Sequence, residues 1–411
     1  MDAASVSKLL SPDGWALLNS LPPYDEKQAM ALATRLRADG VDAGLAAAAL
    51  TQSRLRAKAR AKLGDFAEGM LFTPDGVEQA TRLVVAALHA RRYLAAGVTK
   101  VADLTSGIGA DALAFAGVGL RVLATDVDEI TAALATVNLR HFPEAEVRHA
   151  DGLALDLAAE GVDGVYADPA RRTRGGRRVF DPAAYAPPLD AVWDLRTQVP
   201  ALGIKVGPGI PHQGLPDDAE TQWVSVDGDV VEAGLWFGPL APAGPGRSAL
   251  VLATSGGATT SRSLRTDLHD DAGGADLVPD VGPVGAYLYE PDGAVIRAGL
   301  VAHAAAELGG RLLDRTIAYV TTDQPAAPPA EGAAPLATGY RVLDVMPFNL
   351  KRLKAYLRER GVGRLTIKKR GTAVTPEQLR AQLSPKGDAE ATLVLTRVGG
   401  AQHVLVVEPL R

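Results

Sequence analysis

Val98-Thr-Lys-Val-Ala-Asp103-Leu-Thr105-Ser-Gly107-Ile-Gly109-Ala-Asp111 reads as a β-strand that ends in a carboxylate and turns through two glycines into a helix. Residues without Cβ let the backbone turn tightly and lie against a ligand, while the helix that follows offers its unpaired amide N–H groups. The stretch therefore has the form of a nucleotide-cofactor loop. Ala112 stands where dinucleotide enzymes carry a third glycine, so the same letters also fit a nicotinamide-binding fold.

Three further acids fall at expected strand ends, one βα unit after another. Arg121 to Asp126 is the second strand, and its acid comes 23 residues after Asp103, suited to accept both ribose hydroxyl protons. Glu144 to Ala150 is the third, leading into Asp151-Gly152, where a carboxylate can take an adenine amino group and Gly152 admits the ring. Val162 to Asp168 is the fourth; its Asp168-Pro169 faces the reacting end of the cofactor, a position left idle in the nicotinamide reading.

This ordered set resembles the class I S-adenosylmethionine-dependent methyltransferases over residues 66 to 206. The resemblance implies an α/β, Rossmann-like sheet with S-adenosyl-L-methionine as cofactor. It implies that Asp103 with Gly107 and Gly109 serves the methionine end, Asp126 the ribose, and Asp151 with Gly152 the adenine, with Thr105 and Val127 also among the cofactor-binding residues. Asp168 and Pro169 would lie at the target atom. The whole chain looks like the bacterial methyltransferases that carry a THUMP-like domain, on the strength of Met70-Leu-Phe-Thr73-Pro-Asp-Gly-Val-Glu-Gln79-Ala-Thr81 and of Val345 to Arg352 with Leu365 to Gly371. A helix starting near Asp75 would aim its N-terminal amides at the cofactor carboxylate, which brings Thr73 and Gln79 into the cofactor set.

The 411 residues, 47% hydrophobic, allow two or three domains with a sizeable core. The expected plan is a helical domain over 1–95, the methyltransferase domain over 96–255, a β-rich extension over 256–325, a Pro/Ala/Gly-rich linker over 326–339 and a small basic α+β domain over 340–411. Between about 200 and 325 the chain turns to hairpins: Trp223–Val226 and Val230–Phe237 form one around Asp227-Gly228, and Ser248–Ala253 either pairs with it, closing the sheet antiparallel, or starts a separate layer. No apolar run reaches the roughly 18 residues that cross a bilayer and no signal pattern is present, so a cytoplasmic protein is expected.

There are no cysteines, and the seven histidines lack ligand spacing, so no metal site is expected. The missing thiolate also removes the usual covalent route to carbon 5 of a pyrimidine and favours a nitrogen or oxygen target. Next to the Asp-Pro corner, Arg171-Arg172-Thr-Arg174-Gly-Gly-Arg177-Arg178 places five arginines in eight positions, suited to an anionic substrate. Although the net charge is −5, Arg341 to Gly371 holds ten lysines and arginines against two acids. That segregation fits a local footprint for RNA, with Lys351, Arg352, Lys368, Lys369 and Arg370 as substrate contacts. Methylation of an RNA nucleoside is the leading expectation; the alternatives are an anionic small-molecule substrate and a non-catalytic RNA-binding or assembly factor. The basic row Arg54, Arg56, Lys58, Arg60, Lys62 is read as a solvated helix surface.

Overall fold

The computed structural model describes residues 3–171, 185–267 and 279–410. The chain forms two units, 1–206 with 235–243, and 207–234 with 244–411.

The first unit begins with four helices, α1 (Ala3–Leu10), α2 (Pro12–Ser20), α3 (Ala29–Ala38) and α4 (Ala43–Leu63). Ser11 and Asp42 cap α2 and α4 by accepting from Gly14 and Leu45 N–H, which satisfies donors that the helix leaves open. Val6, Leu9, Leu18, Ala48 and Ala49 bury their apolar faces together with Leu71 and Leu134. Two more helices, α5 (Pro74–Gln79) and α6 (Leu83–Ala95), lead into the sheet.

Short apolar strands then alternate with helices, the pattern of a sheet covered on both faces. They are β1 (Lys100–Asp103), α7 (Ala110–Gly117), β2 (Arg121–Asp126), α8 (Glu129–Asn138), β3 (Ala145–His149) and β4 (Gly164–Ala167). A small ribbon of β5 (Ala170–Arg171) and β6 (Tyr185–Ala186), helix α9 (Leu189–Asp194) and β7 (Leu202–Val206) complete the series. Strands run parallel in the order β3-β2-β1-β4-β7. Because the order reverses direction at β1, a crevice opens at the carboxyl ends of β1, β2 and β4.

β8 (Ala219–Val226), in the second unit, and β9 (Asp229–Phe237), whose last residues belong to the first, flank Asp227-Gly228, whose φ of 53° and 86° are those of the two-residue hairpin turn expected from the sequence. Ser248–Ala253 joins the sheet of β8 rather than a separate layer, but in parallel, where an antiparallel closure is expected from the sequence. This segment lies in β10 (Gly246–Ser255), parallel to β8 and antiparallel to β11 (Ala258–Asp267).

Next come β12 (Tyr287–Pro291), α10 (Gly293–Arg297), α11 (Val301–Glu307), β13 (Arg311–Asp314) and β14 (Ile317–Thr322). They are followed by β15 (Ala337–Pro347), α12 (Leu350–Glu359), β16 (Val362–Lys369), α13 (Pro376–Leu383), β17 (Ala389–Val398) and β18 (Ala401–Pro409). All seven strands β12 to β18 share one sheet, ordered β13-β14-β12-β15-β18-β17-β16. Residues 326–339 thus join strands of one sheet, and Ala334 and Leu336 within them are buried. Leu353 and Leu357 of α12 and Leu379 and Leu383 of α13 cover one face; Leu288, Ile317, Tyr319 and Tyr340 are packed with Val394, Leu405 and Val407. Among the described residues no helix is long and apolar enough to cross a membrane.

Candidate active site

One wall of the crevice comes from Met70 to Thr81, a segment held by side-chain amides rather than by a neighbouring strand. Gln52 donates to Phe72 C=O at 2.7 Å and accepts from Phe72 N–H at 2.9 Å. Asn138 accepts from Leu71 N–H at 2.7 Å and donates to Leu71 C=O at 3.0 Å and to Ile108 C=O at 2.9 Å. Both amides are buried and satisfy backbone groups that have no ladder partner. Thr73 caps α5 by accepting from Gly76 N–H, while Lys62 donates to the C=O of Glu78 and of Ala80 at the end of that helix. Lys58 pairs with Glu78, and Arg60 with Asp65 and Glu68. Lys58 and Lys62 of the basic row thus hold α5, while Arg54, Lys58 and Arg60 are exposed as expected of a solvated helix surface.

The glycine loop forms the floor. Gly107 and Gly109 sit at φ of +55° and +85°, the left-handed region that a side chain disfavours, and so let the loop curl into α7. Asp126 accepts from Gly107 N–H at 3.0 Å and from Asp128 N–H at 2.9 Å, which fixes the end of β2 to the loop. Burial raises its carboxyl above the ordinary value against these two hydrogen bonds. Asp151 accepts from Leu153 N–H at 3.0 Å. Asp103 is 1% exposed; burial first, and then the neighbouring carboxylates of Asp111, Asp168 and Asp126, push it well above the usual range. Its Oδ2 has no hydrogen-bond partner among the described residues.

Four acids from four strand ends thus converge. Asp103, Asp126, Asp151 and Asp168 line one cavity of about 430 Å³, with Gln79, Thr105, Gly107, Val127 and Gly152 from the expected set. Val127 is 70% exposed, an apolar surface at the rim. Thr73, Gly109 and Pro169 are not in the lining: Thr73 acts as a helix cap and Gly109 packs toward Leu139. Of the arginines expected at the Asp-Pro corner, Arg172 and Arg174 lie outside the described residues, and Arg171 belongs to β5.

Sequence reasoning missed a buried polar string under the cavity. Lys205 Nζ donates to Asp168 Oδ2 at 2.6 Å and to Thr81 Oγ1 at 2.8 Å. Thr81 Oγ1 donates to Asp111 Oδ2 at 2.6 Å, and His89 Nδ1 lies 2.9 Å from Asp111 Oδ1. Burial alone would raise Asp111, yet hydrogen bonding to His89 and the nearby charges of His89 and Lys205 hold it below the ordinary value. Asp168 N–H in turn donates to Thr105 Oγ1 at 2.6 Å. The available signal was Lys205 itself, a charge one residue from the end of an otherwise apolar strand.

In the second unit the basic residues divide into two groups. Lys368 and Arg370 both bind Glu290, at 2.6 and 3.2 Å, while Arg341 pairs with Glu408 and Arg364 with Glu390. On α12, by contrast, Lys351, Arg352, Lys354 and Arg358 are exposed, as is Lys369. Among the described residues no group of three His, Asp or Glu could hold a metal ion.

Residues 337–409 match a family model described as THUMP domain-like, and residues 2–59 match one described as a domain of unknown function. Two proteins of Mycobacterium tuberculosis, from strains CDC 1551 and H37Rv, are each named as an uncharacterized S-adenosylmethionine-dependent methyltransferase. Both are 35% identical over 354 residues, covering 84% of this chain and 91% of theirs. A solved structure of a putative methyltransferase from Porphyromonas gingivalis W83 shares the fold, with a TM-score of 0.71 at 22% identity over 95% of this chain and 100% of that one. With a relative this similar along nearly its whole length, the chain belongs to the S-adenosylmethionine-dependent methyltransferases and is an enzyme that uses that cofactor.

Proposed function

We propose that this enzyme methylates a nitrogen or oxygen of an RNA nucleoside, with Asp168 and Pro169 at the target atom. The observation that carries the site assignment is the convergence of Asp103, Asp126, Asp151 and Asp168 on one cavity. Its volume of about 430 Å³ is in the range of pockets that enclose small ligands. The residues fit the cofactor: acids for the ribose hydroxyls and the adenine amino group, exposed Val127 for an apolar ring face, and a buried unpaired oxygen on Asp103 for a cation. Bound there, S-adenosylmethionine supplies an electrophilic methyl on a sulfonium.

The chain's own contribution is alignment. Holding two reactants in line supplies about 7–11 kcal/mol in favourable cases, against about 3–5 kcal/mol for a general base. The carboxylate and carbonyl of Asp168 accept hydrogen bonds from the substrate and point its lone pair into the cavity, with Pro169 outside the lining fixing the chain just after it. A pyrimidine carbon 5 is a poor target, because the chain has no cysteine to activate the ring.

RNA is supported by the THUMP domain-like match and by the exposed cations of α12. Each phosphate contact they make should lower log K by about 0.7 per tenfold rise in salt for a single strand. The deciding experiment incubates protein and cofactor with total RNA from cells lacking the gene, then digests the RNA and analyses nucleosides by mass spectrometry. A newly methylated nucleoside is expected. Methylation of only a small anionic metabolite would overturn the RNA assignment and leave the transferase intact.

A further inference from the structure

The geometry points to Lys205 as a positioning residue for methyl transfer, one that holds Asp168 as an acceptor and thereby selects a target atom bearing a hydrogen. This rests on the proposed role of Asp168 at the target. The donors of the string run outward from the ammonium. Lys205 gives one hydrogen to Asp168 and another to Thr81, whose own hydrogen goes to Asp111. His89 closes the far end on the other oxygen of Asp111. Thr81, Asp111 and His89 are buried, and the Lys205 side chain is 13% exposed.

Such an arrangement is expensive as mere scaffold, since burying the Asp111 carboxylate and most of the Lys205 ammonium, with Asp168 one-third exposed, carries a desolvation penalty that a well-packed apolar cluster avoids. The aromatic surroundings show that apolar packing is available here: Tyr93, Phe115, Tyr166 and Trp236 are buried in contact with one another. What the string provides is orientation. Asp168 is fixed from two sides, its backbone N–H by Thr105 and its carboxylate by Lys205.

An ammonium at 2.6 Å favours the ionised carboxylate, and an ionised carboxylate only accepts hydrogen bonds. The substrate atom it recognises therefore carries N–H or O–H: an exocyclic amino group, a protonated ring nitrogen or a hydroxyl. A ring nitrogen without hydrogen offers nothing for Asp168 to hold. In the reaction the nucleophile's lone pair forms the new bond to the methyl carbon as the carbon–sulfur bond breaks and its electron pair returns to sulfur. The hydrogen on the nucleophile leaves as a proton to the Asp168 carboxylate, and from there to water.

The test compares Lys205→Met, Lys205→Arg and wild type in the full chain. Four quantities are read: initial rate at saturating cofactor, the pH profile of that rate, cofactor affinity by calorimetry, and urea stability. The methyl acceptors are total RNA and, separately, the small-molecule extract of cells lacking the gene. Lys205→Met should lower the rate at least a hundredfold, leave cofactor affinity within about threefold and shift the acidic limb of the rate profile upward. Lys205→Arg should recover at least tenfold of that loss, because a guanidinium still donates to Asp168. A Lys205→Met rate within threefold of wild type would overturn the inference, as would losses of rate, affinity and stability in common proportion. So would a methylated product whose acceptor atom had no hydrogen. Wild-type labelling of the extract but not the RNA refutes the RNA substrate alone, and the Lys205 comparison is then read on the extract. Labelling of neither refutes the placement of Asp168 at the target and this inference with it.

Discussion

Replacing Asn138 by Asp should convert a pH-independent clamp into one that fails as pH rises. The Asn138 amide meets one donor, Leu71 N–H, and two acceptors, Leu71 C=O and Ile108 C=O, and is 3% exposed. An aspartate keeps the shape but faces two carbonyls with an oxygen, so the folded protein must hold it protonated. Its folded pKa then lies above the unfolded value of about 3.9, and buried acids are displaced by up to about 3–5 units. The sign follows from linkage: the folded state binds more protons, so stability relative to wild type is greatest below pH 4 and is lost as pH rises through the folded pKa. The slope is about 1.4 kcal/mol per pH unit, or about 4 kcal/mol for a displacement of 3 units, out of a typical total of about 5–15 kcal/mol. Asn138→Ala instead strands three buried backbone groups at about 1–3 kcal/mol each before water enters, with no pH dependence of its own. Urea unfolding of both variants and wild type from pH 4 to 8 distinguishes them. An Asn138→Asp stability curve parallel to wild type across that range would refute the hydrogen-bond assignment.

Two further outcomes concern the cavity floor. Asp126→Ala should weaken S-adenosylmethionine binding about ten- to a hundredfold, from loss of about 1.5–3 kcal/mol in charged hydrogen bonds, measured by calorimetry; unchanged affinity would remove Asp126 from the ribose position. Gly152→Ala would put a methyl 2.7 Å from the Leu104 carbonyl oxygen, and overpacking of this kind costs about 1–3 kcal/mol; a urea midpoint equal to wild type would show that the loop yields freely.

What was legible in the sequence is what the backbone decides locally. The strand, glycine turn and helix of 98–111 follow from apolar runs and residues without Cβ, and parallel pairing then brings the strand-end acids to one edge. Thr375 announces α13 for the same local reason, with its capping box formed to Gln378. Interactions between distant positions were not legible. Lys205 meets Thr81 across 124 residues of sequence, and no spacing rule connects them. Charge counting failed in the same way: the basic run up to Arg370 looks unopposed until Glu290, Glu390 and Glu408 arrive from outside it. The amides of Gln52 and Asn138 were silent because a buried Gln or Asn carries no periodic signature. Their effect is nonetheless to satisfy the backbone of Leu71 and Phe72 in a segment that belongs to no strand or helix.

The proposed place of Asp103 at the methionine end predicts that cofactor binding is linked to protons. Burial, reinforced by three nearby carboxylates, raises Asp103 and so favours its neutral form, with a long 3.4 Å hydrogen bond from Thr105 N–H opposing them. Its folded pKa is raised, so this group weakens the folded protein as pH rises above about 3.9 and through the raised value. A cation placed against it reverses the preference by favouring the carboxylate. If Asp103 serves the methionine end, whose ammonium is such a cation, binding must release a proton at any pH below the raised pKa. Affinity must likewise strengthen with pH until that value is reached. Calorimetric titration with S-adenosylmethionine in two buffers of different ionisation enthalpy should give different heats for wild type and equal heats for Asp103→Asn, which has no proton to lose there. Buffer-independent heats for wild type together with an affinity that does not change with pH would mean that Asp103 does not exchange its proton on binding, and this proton linkage would be refuted.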